Sequence, residues 1–561
     1  MSVLLENNAL YFIPLGGSEQ FGANLNLYVC NGEFLAVDCG VCFADERYPG
    51  IDLLLPDPWL LEENKDKLKG LVLTHAHEDH LGAVAFLWDR FECPIYTTRF
   101  TASVLRGKLA QEGVEGVPIH IIEPNTPFDL GCFSLNFLSV AHSVPDSFSL
   151  FLQTPHGNVF HSGDWNLDPY SATGHKAKED VFRKLGEAGV LAYIGDSTNA
   201  ECDGYAGSEA AVAQGLIKEF EKCEGKIAVT IFSSNIGRVI SVARAAQKVG
   251  RGVALIGRSL HRMVGCAREC GMLEGLPPFI DEDELVHVPD ENLVLIVTGS
   301  QGEFRAALAK IARGEFRNIS LGKGDTTIFS ARAIPGNERT INVVKNNLSA
   351  RGVRIISPKD TDNVIHVSGH PYRGEIETML GWIKPRCVVP VHGEYVQLNA
   401  QAQLAQKCHD GVVVLPQNGS VIRLAPEPPA IVDQLETALL AVDKAHIIPA
   451  THHSITARRK LQYSGTVHVS VVIDADFRLL APVKVTTVGL SSETEQKHDC
   501  IEETLQARTE ELLLSLAPHF DDFLPDDDKI AEKLRIALRR HVHKTLGIQP
   551  KTSVHVTYLD L

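Results

Sequence analysis

The 561-residue sequence predicts a layered α/β fold with a second α/β unit inserted into the first. Three observations predict it. Short apolar runs with β character recur, and several of them end in a histidine or an aspartate. Between residues 208 and 360, strand-like runs alternate with helix-like ones, as in an α/β unit. Two residues suited to one polar centre, Asp164 and His392, lie more than two hundred residues apart, a gap that a single small domain does not need.

The first run, Leu71-Val72-Leu73, leads into His75-Ala76-His77-Glu78-Asp79-His80. A strand continued through Thr74 alternates its side chains, so His75 and His77 point the same way. The chain then turns into a helix expected over 81–87, with Asp79 and His80 at the turn. One short segment thus offers imidazole and carboxylate to two neighbouring ions. No thiolate is needed, which favours zinc or manganese over an iron–sulfur cluster or a structural zinc finger. His142 closes the run Leu138-Ser139-Val140-Ala141. Asp164 follows Val159-Phe160-His161-Ser162-Gly163, and His392 follows Val388-Val389-Pro390-Val391. Each alone reads as an ordinary loop residue. Beside the first cluster they read as a set, because ligands collect at the carboxyl ends of strands in layered α/β folds.

Ser208 caps a helix that begins Glu209-Ala210-Ala211. The runs 226–232 and 293–298 read as buried strands. The Pro-rich Ala425-Pro426-Glu427-Pro428-Pro429-Ala430 punctuates the chain. Beyond it, strands are expected over 466–473 and 553–558, helices over 501–516 and 529–546, and an acidic loop over 521–528.

Composition excludes rather than decides. Hydrophobic content of 44% and charged content of 22% describe an ordinary globular chain. No apolar run is long enough for a membrane span. The opening residues have neither a basic start nor a long apolar stretch, so no secretory leader is expected. The twelve cysteines include one C-x-x-C, Cys39 to Cys42, without a second pair to complete a zinc site. They read as reduced thiols of a cytoplasmic protein. The net charge of −17 is not the usual footprint of a nucleic-acid binder. Divalent ions at the centre offset part of it, and basic residues cluster locally at 251–268 and 458–460.

Several segments carry a resemblance: Phe12-Ile13-Pro14-Leu15-Gly16-Gly17, Val37-Asp38-Cys39-Gly40, Leu55-Pro56-Asp57, the 75–80 cluster, Gly195-Asp196-Ser197-Thr198-Asn199-Ala200, His366-Val367-Ser368-Gly369-His370 and Pro390-Val391-His392-Gly393-Glu394. Together they resemble the ribonuclease J family, in the β-CASP branch of the metallo-β-lactamase superfamily, along nearly the whole chain. The histidine cluster alone marks only the superfamily.

The resemblance implies a metallo-β-lactamase αββα sandwich in two parts, 1–207 and 361–424, around an inserted β-CASP α/β domain at 208–360. It implies a linker at 425–450 and a small α+β C-terminal domain at 451–561 that supports a homodimer or homotetramer. It implies two divalent ions per chain, zinc first, with manganese or magnesium as alternatives. His75, His77 and His142 would hold one ion and Asp79, His80 and His392 the other. Asp164 would bridge, since a carboxylate has two oxygens to offer.

The implied activity is 5′→3′ exonuclease and endonuclease cleavage of RNA, preferably 5′-monophosphorylated, in RNA maturation and mRNA decay. Asp79 serves the ions, which lower the pKa of the attacking water. His370 is the candidate general acid for the leaving 3′-oxygen. Asp196 orients it, or a ligating histidine. Ser233, Ser234 and Asn235, with His366, Val367, Ser368, Gly369 and His370, are the implied RNA-binding segments. Two departures from the family pattern stand out: Pro371-Tyr372-Arg373-Gly374-Glu375 after His370, and Ile236-Gly237-Arg238 after Asn235. The alternatives are a β-CASP DNA nuclease, a small-ester hydrolase, which the long insertion disfavours, and a non-catalytic RNA-binding scaffold, which the complete ligand set disfavours.

Overall fold

A computed structural model describes residues 6–173, 176–334, 336–474, 477–490, 495–516 and 527–559. The chain divides into two compact units, one of residues 1–43 and 54–439, the other of 44–53 and 440–561.

The larger unit holds two mixed sheets whose apolar faces share one core. The first sheet orders its strands Ala430–Gln434, Ser420–Ala425, Leu10–Gly16, Leu25–Cys30, Glu33–Val37, Leu68–Val72, Ile95–Thr97 and Ile119–Ile121. The second orders Val412–Val413, Cys387–Val391, Ala192–Asp196, Gly157–His161, Phe148–Thr154, Phe133–Ser139 and Phe128–Leu130. Leu10, Phe12, Tyr28 and Val72 of the first meet Phe137, Phe148, Leu150, Ile194 and Val389 of the second in one buried cluster. The opposite face of the second sheet packs Phe160 and Tyr193 against Phe182, Ile376, Met379, Leu380 and Leu404 of three helices, Glu179–Ala188, Arg373–Ile383 and Tyr395–Cys408. The central strands of this sheet are therefore dry on both faces: Ala192–Asp196 and Cys387–Val391 are buried at every position.

Between the two halves of this sandwich the chain builds a third sheet. Its five strands are all parallel, in the order Gly252–Ile256, Leu293–Val297, Ile227–Thr230, Thr326–Phe329, Arg354–Ile356. Parallel strands need crossover helices, and the helices Ile236–Lys248, Arg258–Glu269, Ala307–Arg313 and Glu338–Ala350 fall between successive strands. Ser208 caps the preceding helix, Glu209–Phe220, by accepting from Ala210 N at 3.2 Å.

Three local expectations differ from the structure. The strand before the histidine cluster ends at Val72 and does not continue through Thr74. Thr74 N–H donates instead to Asp38 Oδ1 at 2.8 Å, so a carboxylate takes the place of a ladder partner. The helix expected over 81–87 is two: a turn Glu78–Leu81 and a helix Val84–Phe91. The span 425–450, expected as a linker, contains the strands Ala430–Gln434, Leu439–Asp443 and His446–Pro449. The first of these completes an antiparallel pairing with Ser420–Ala425, so it belongs to the sandwich.

The smaller unit carries a three-stranded sheet in the order Lys484–Val488, Thr466–Ile473, Lys551–Tyr558. Val467, Val469 and Val471 alternate onto one face and meet Leu505, Leu534 and Leu538 of the helices Glu495–Leu516 and Asp527–Leu546. Residues 521–526 of the expected acidic loop lie outside the described residues, and Asp527 opens the second helix. Among the described residues no helix is long and apolar enough to cross a membrane, and the eleven cysteines whose side chains are described are free thiols.

Candidate metal centre

The centre forms where strand ends of both sandwich sheets converge. Asp38 follows the strand Glu33–Val37 in a left-handed conformation, φ +62°, which an aspartate tolerates. Its carboxylate takes Thr74 N–H and Oγ1 on one side and His80 Nδ1, at 2.8 Å, on the other. Gly40 lets the backbone behind the cluster come close. A Cβ there would lie 1.7 Å from Asp79 O. Around that approach, Cys39 N donates to His80 O at 2.7 Å and Asn24 N to Asp79 O at 3.2 Å.

All seven expected ligands come together. His77 Nδ1 faces both His75 Nε2 and His142 Nε2 at 3.1 Å. Asp164 Oδ2 lies 3.4 Å from His75 Nε2, 3.3 Å from His80 Nε2, 3.7 Å from His142 Nε2 and 3.5 Å from His392 Nε2. Asp79 Oδ2 lies 3.5 Å from His80 Nε2 and 3.7 Å from His392 Nε2. The donor atoms of His75, His77, His142 and Asp164 all fall within 4.8 Å of one another, as do those of Asp79, His80 and His392. A further set, Asp164, Asp196, His370 and His392, meets the same limit.

The outward nitrogens are also occupied, which fixes each ring. His80 Nδ1 pairs with Asp38, and His142 Nδ1 donates to Gly369 O at 2.8 Å. His392 Nδ1 donates to Asn24 Oδ1 at 3.1 Å, and His75 Nδ1 lies 3.0 Å from Thr74 Oγ1.

This arrangement fits bound cations. Both oxygens of the buried Asp164 lack any hydrogen-bond donor, a costly state for a carboxylate unless a cation completes it. The imidazole nitrogens face one another at 3.1 Å, near the separation of two nitrogens bound at about 2.1 Å to one zinc ion. The protonation states of His75, His77, His142 and the two carboxylates agree, whereas burial lowers His80 but Asp164 and Asp79 raise it well above its ordinary value. Burial and the neighbouring His75 pull His77 down to about 3. Burial and the neighbouring histidines also lower His75 and His142, leaving lone pairs free. Burial raises Asp164 and Asp79, but nearby imidazoles outweigh it and hold both carboxylates below their usual range.

His370 stands beside this cluster with its Nδ1 2.8 Å from Asp196 Oδ2. Burial pulls His370 down, yet Asp196 and Asp164 carry the imidazole up to about 9. Asp196 also accepts Thr198 N at 2.9 Å, so it braces the following turn as well as contacting His370.

The expected RNA-binding segments flank the histidines. Ser234 Oγ lies 3.2 Å from His77 Nε2, with Ser233 half-buried beside it. Asn235 caps the helix Ile236–Lys248, accepting from Arg238 N at 2.8 Å. Val367, Ser368 and Gly369 line a small polar cleft with His142 and Asn235. His366 Nδ1 lies 3.3 Å from Arg238 Nη1; burial and that guanidinium push it down to about 3. Arg238 itself is fully buried and paired with Glu209 at 2.7 Å.

The sequence reading missed Asn24, Asp38, Asn166 and Asn199. Asp38 carried a usable signal, an acid between an apolar strand and Cys39-Gly40. Asn24 and Asn166 carried none, since their partners lie far along the chain: Asn166 Nδ2 donates to Gly369 O at 3.2 Å; Asn199, inside the motif at 195–200, donates Nδ2 to Ser368 Oγ at 2.8 Å.

Comparison with known proteins agrees with this geometry. Three family models match in succession: a beta-lactamase superfamily domain at residues 37–194, a ribonuclease J beta-CASP domain at 224–348, and a Zn-dependent metallo-hydrolase RNA specificity domain at 358–416. The chain is 40% identical to ribonuclease J of Sinorhizobium meliloti over 562 residues, covering 99% of this chain and 98% of that protein. It is 33% identical to ribonuclease J of Mycolicibacterium smegmatis over 558 residues, covering 97% of each. A crystal structure of a protein of unknown function from Enterococcus faecalis shares the fold, with TM-score 0.51 and 16% identity over 74% of this chain and all of that one. The chain therefore belongs to the ribonuclease J family and is a hydrolytic, metal-binding ribonuclease of the metallo-β-lactamase superfamily.

Proposed function

We propose that this ribonuclease works with two divalent ions, zinc first and manganese or magnesium as alternatives, as a 5′→3′ exonuclease with endonuclease capacity on 5′-monophosphorylated RNA. The observation that carries the reading is Asp164. Its Oδ2 lies within 3.3–3.7 Å of five imidazole nitrogens, and neither of its oxygens has a donor. His75, His77 and His142 would hold one ion and Asp79, His80 and His392 the other, with Asp164 available to both. Bound there, the ions supply a water of lowered pKa and offset charge on the phosphate oxygens.

The chain's own groups do the rest. His370, held protonated by Asp196, gives its proton to the leaving 3′-oxygen. Asp38, Asn24, Thr74 and the Gly369 carbonyl keep the ligating rings oriented. Ser233, Ser234 and Asn235 on one side, and 366–370 on the other, hold the RNA backbone. Residues 1–207 and 361–424 form the metal-binding domain, 208–360 the inserted domain, and 451–561 a domain for assembly as a homodimer or homotetramer. It acts in RNA maturation and mRNA decay in the cytoplasm.

The test compares 5′-monophosphate and 5′-triphosphate RNA with metal-depleted and zinc- or manganese-restored protein. Mononucleotides should appear from the monophosphate alone and only after metal is restored. His77→Ala should reduce cleavage to background with the fold retained by circular dichroism. Cleavage by His77→Ala at the parental rate removes the two-ion reading, and equal release from both 5′ ends removes the end preference.

A further inference from the structure

Arg332 follows the strand Thr326–Phe329 of the inserted sheet, and no step above uses it. Its backbone is pinned. The buried Gln301 donates Nε2 to Arg332 O at 2.9 Å and accepts Ile334 N at 2.8 Å. Its side chain is exposed, yet it reaches the catalytic turn. Nη1 donates to Asn199 Oδ1 at 2.8 Å. Asn199, itself buried, passes the contact on: its Nδ2 donates to Ser368 Oγ at 2.8 Å and to His370 O at 3.3 Å. The guanidinium therefore stands two hydrogen bonds from the proposed general acid.

Its charge has no local counterpart. Arg99, Arg313, Arg373 and Arg423 each pair with an acid, Glu123, Glu315, Asp203 and Glu427. Among the described residues, no carboxylate forms an ion pair with Arg332. The partner it has is a neutral amide. In a chain of net charge −17, an unneutralised guanidinium at the rim of a nuclease centre is poised for an anion. A guanidinium has five N–H donors in a planar fork, and the non-bridging oxygens of a phosphodiester match that fork.

We propose that Arg332 is a substrate-positioning residue: its open N–H edge takes an RNA phosphate flanking the scissile one, while Nη1 keeps Asn199 seated on the turn Ser368-Gly369-His370. The inference rests on the ribonuclease reading of the centre. It ties two events together, since one side chain both holds the RNA backbone and steadies the turn that carries His370.

The experiment uses the full chain loaded with zinc or manganese. KM and kcat are measured on a short 5′-monophosphorylated RNA across a salt series, and on bis(p-nitrophenyl) phosphate, which has no flanking phosphate. Arg332→Ala should raise KM for RNA about tenfold or more. It should also flatten the log–log salt dependence by about 0.7, one single-strand phosphate contact. The loss on the small diester should be much smaller. Arg332→Lys should regain the salt slope but not the parental KM, because an ammonium lacks the fork. Asn199→Ala removes the seat without the charge, so it should lower kcat on both substrates at an unchanged slope.

Parental KM and slope in Arg332→Ala overturn the proposal, as do equal losses on both substrates with the slope intact. If Arg332→Ala does not fold, Arg332→Lys decides, and a parental KM in that variant overturns it. Parent enzyme that cleaves the small diester but not RNA removes the ribonuclease reading instead.

Discussion

His370 illustrates how much one side chain depends on its neighbours. Burial alone depresses an imidazole, yet Asp196 at 2.8 Å and Asp164 at 3.7 Å reverse the effect and raise it to about 9. A raised value in the folded chain means that the folded state binds the proton more tightly. The stability this contributes is complete below the unfolded value, about 6.5, and is lost as pH rises through about 9. Asp196→Asn removes the nearer charge. In metal-free protein, the His370 ring should then titrate at a lower pH by proton NMR, and the variant should lose stability relative to the parent most clearly at acidic and neutral pH. An unmoved midpoint would show that Asp196 does not hold the proton.

At this scale the sequence was legible wherever a residue's type announced its chemistry. Three histidines and an aspartate within six positions, and lone acids or histidines closing apolar runs, pointed to ligands without any structure. Asn24 and Arg332 did not. An asparagine or arginine has no chemistry that marks its role before its partner is known, and Arg332 meets Asn199 from 133 positions away.

The elements that carry the centre are fixed by close backbone approach. Gly40 sits where the loop after Glu33–Val37 crosses the turn Glu78–Leu81. A Cβ would meet Asp79 O at 1.7 Å and its carbonyl carbon at 1.9 Å. These are main-chain atoms, so no rotamer change relieves the clash. Gly40→Ala should displace Asp79 and His80 together, at a cost of about 1–3 kcal/mol in stability. Elemental analysis should find less bound metal per chain, and RNA cleavage should fall with it. Parental metal content and rate would show that the two loops can separate freely.

The strand Thr466–Ile473, two of the five strands of the inserted sheet and the cap at Ser208 were readable from apolar runs and capping chemistry. The end of Leu68–Val72 was not. Period-two patterning continues past Val72, and only the carboxylate of Asp38, 36 positions earlier, takes Thr74 N–H out of the ladder. Likewise, the Pro-rich stretch at 425–429 marks a turn, but not the pairing of Ala430–Gln434 onto the sandwich edge just beyond it.

For the molecule as a whole, the ligands arise on both sides of the inserted sheet. Ions that bind only this convergent set bind the folded chain and not the unfolded one, so they add to its stability. That addition is about 4 kcal/mol when free metal stands a thousandfold above its dissociation constant. Chelation should lower the melting temperature and abolish RNA cleavage, and zinc or manganese should restore both. An unchanged melting temperature on chelation would mean that the donors hold their places without ions and bind them weakly. The insertion itself was legible from the gap between Asp164 and His392. The pairing of the sandwich's two halves was legible only in outline, because register across sheets is set by contacts that no local pattern encodes.

That order of donors along the polypeptide also sets a clock during synthesis. When Asp164 has left the ribosome, more than two hundred residues remain before His392 and, shortly ahead of it, His370. At 5–20 residues per second the wait is roughly ten to forty-five seconds. Throughout it, the growing chain is tethered to a messenger of the very chemical kind it cuts, without His392 or His370. The set of donors is complete only once His392 of 561 residues has been made, about seven-tenths of the way along the template.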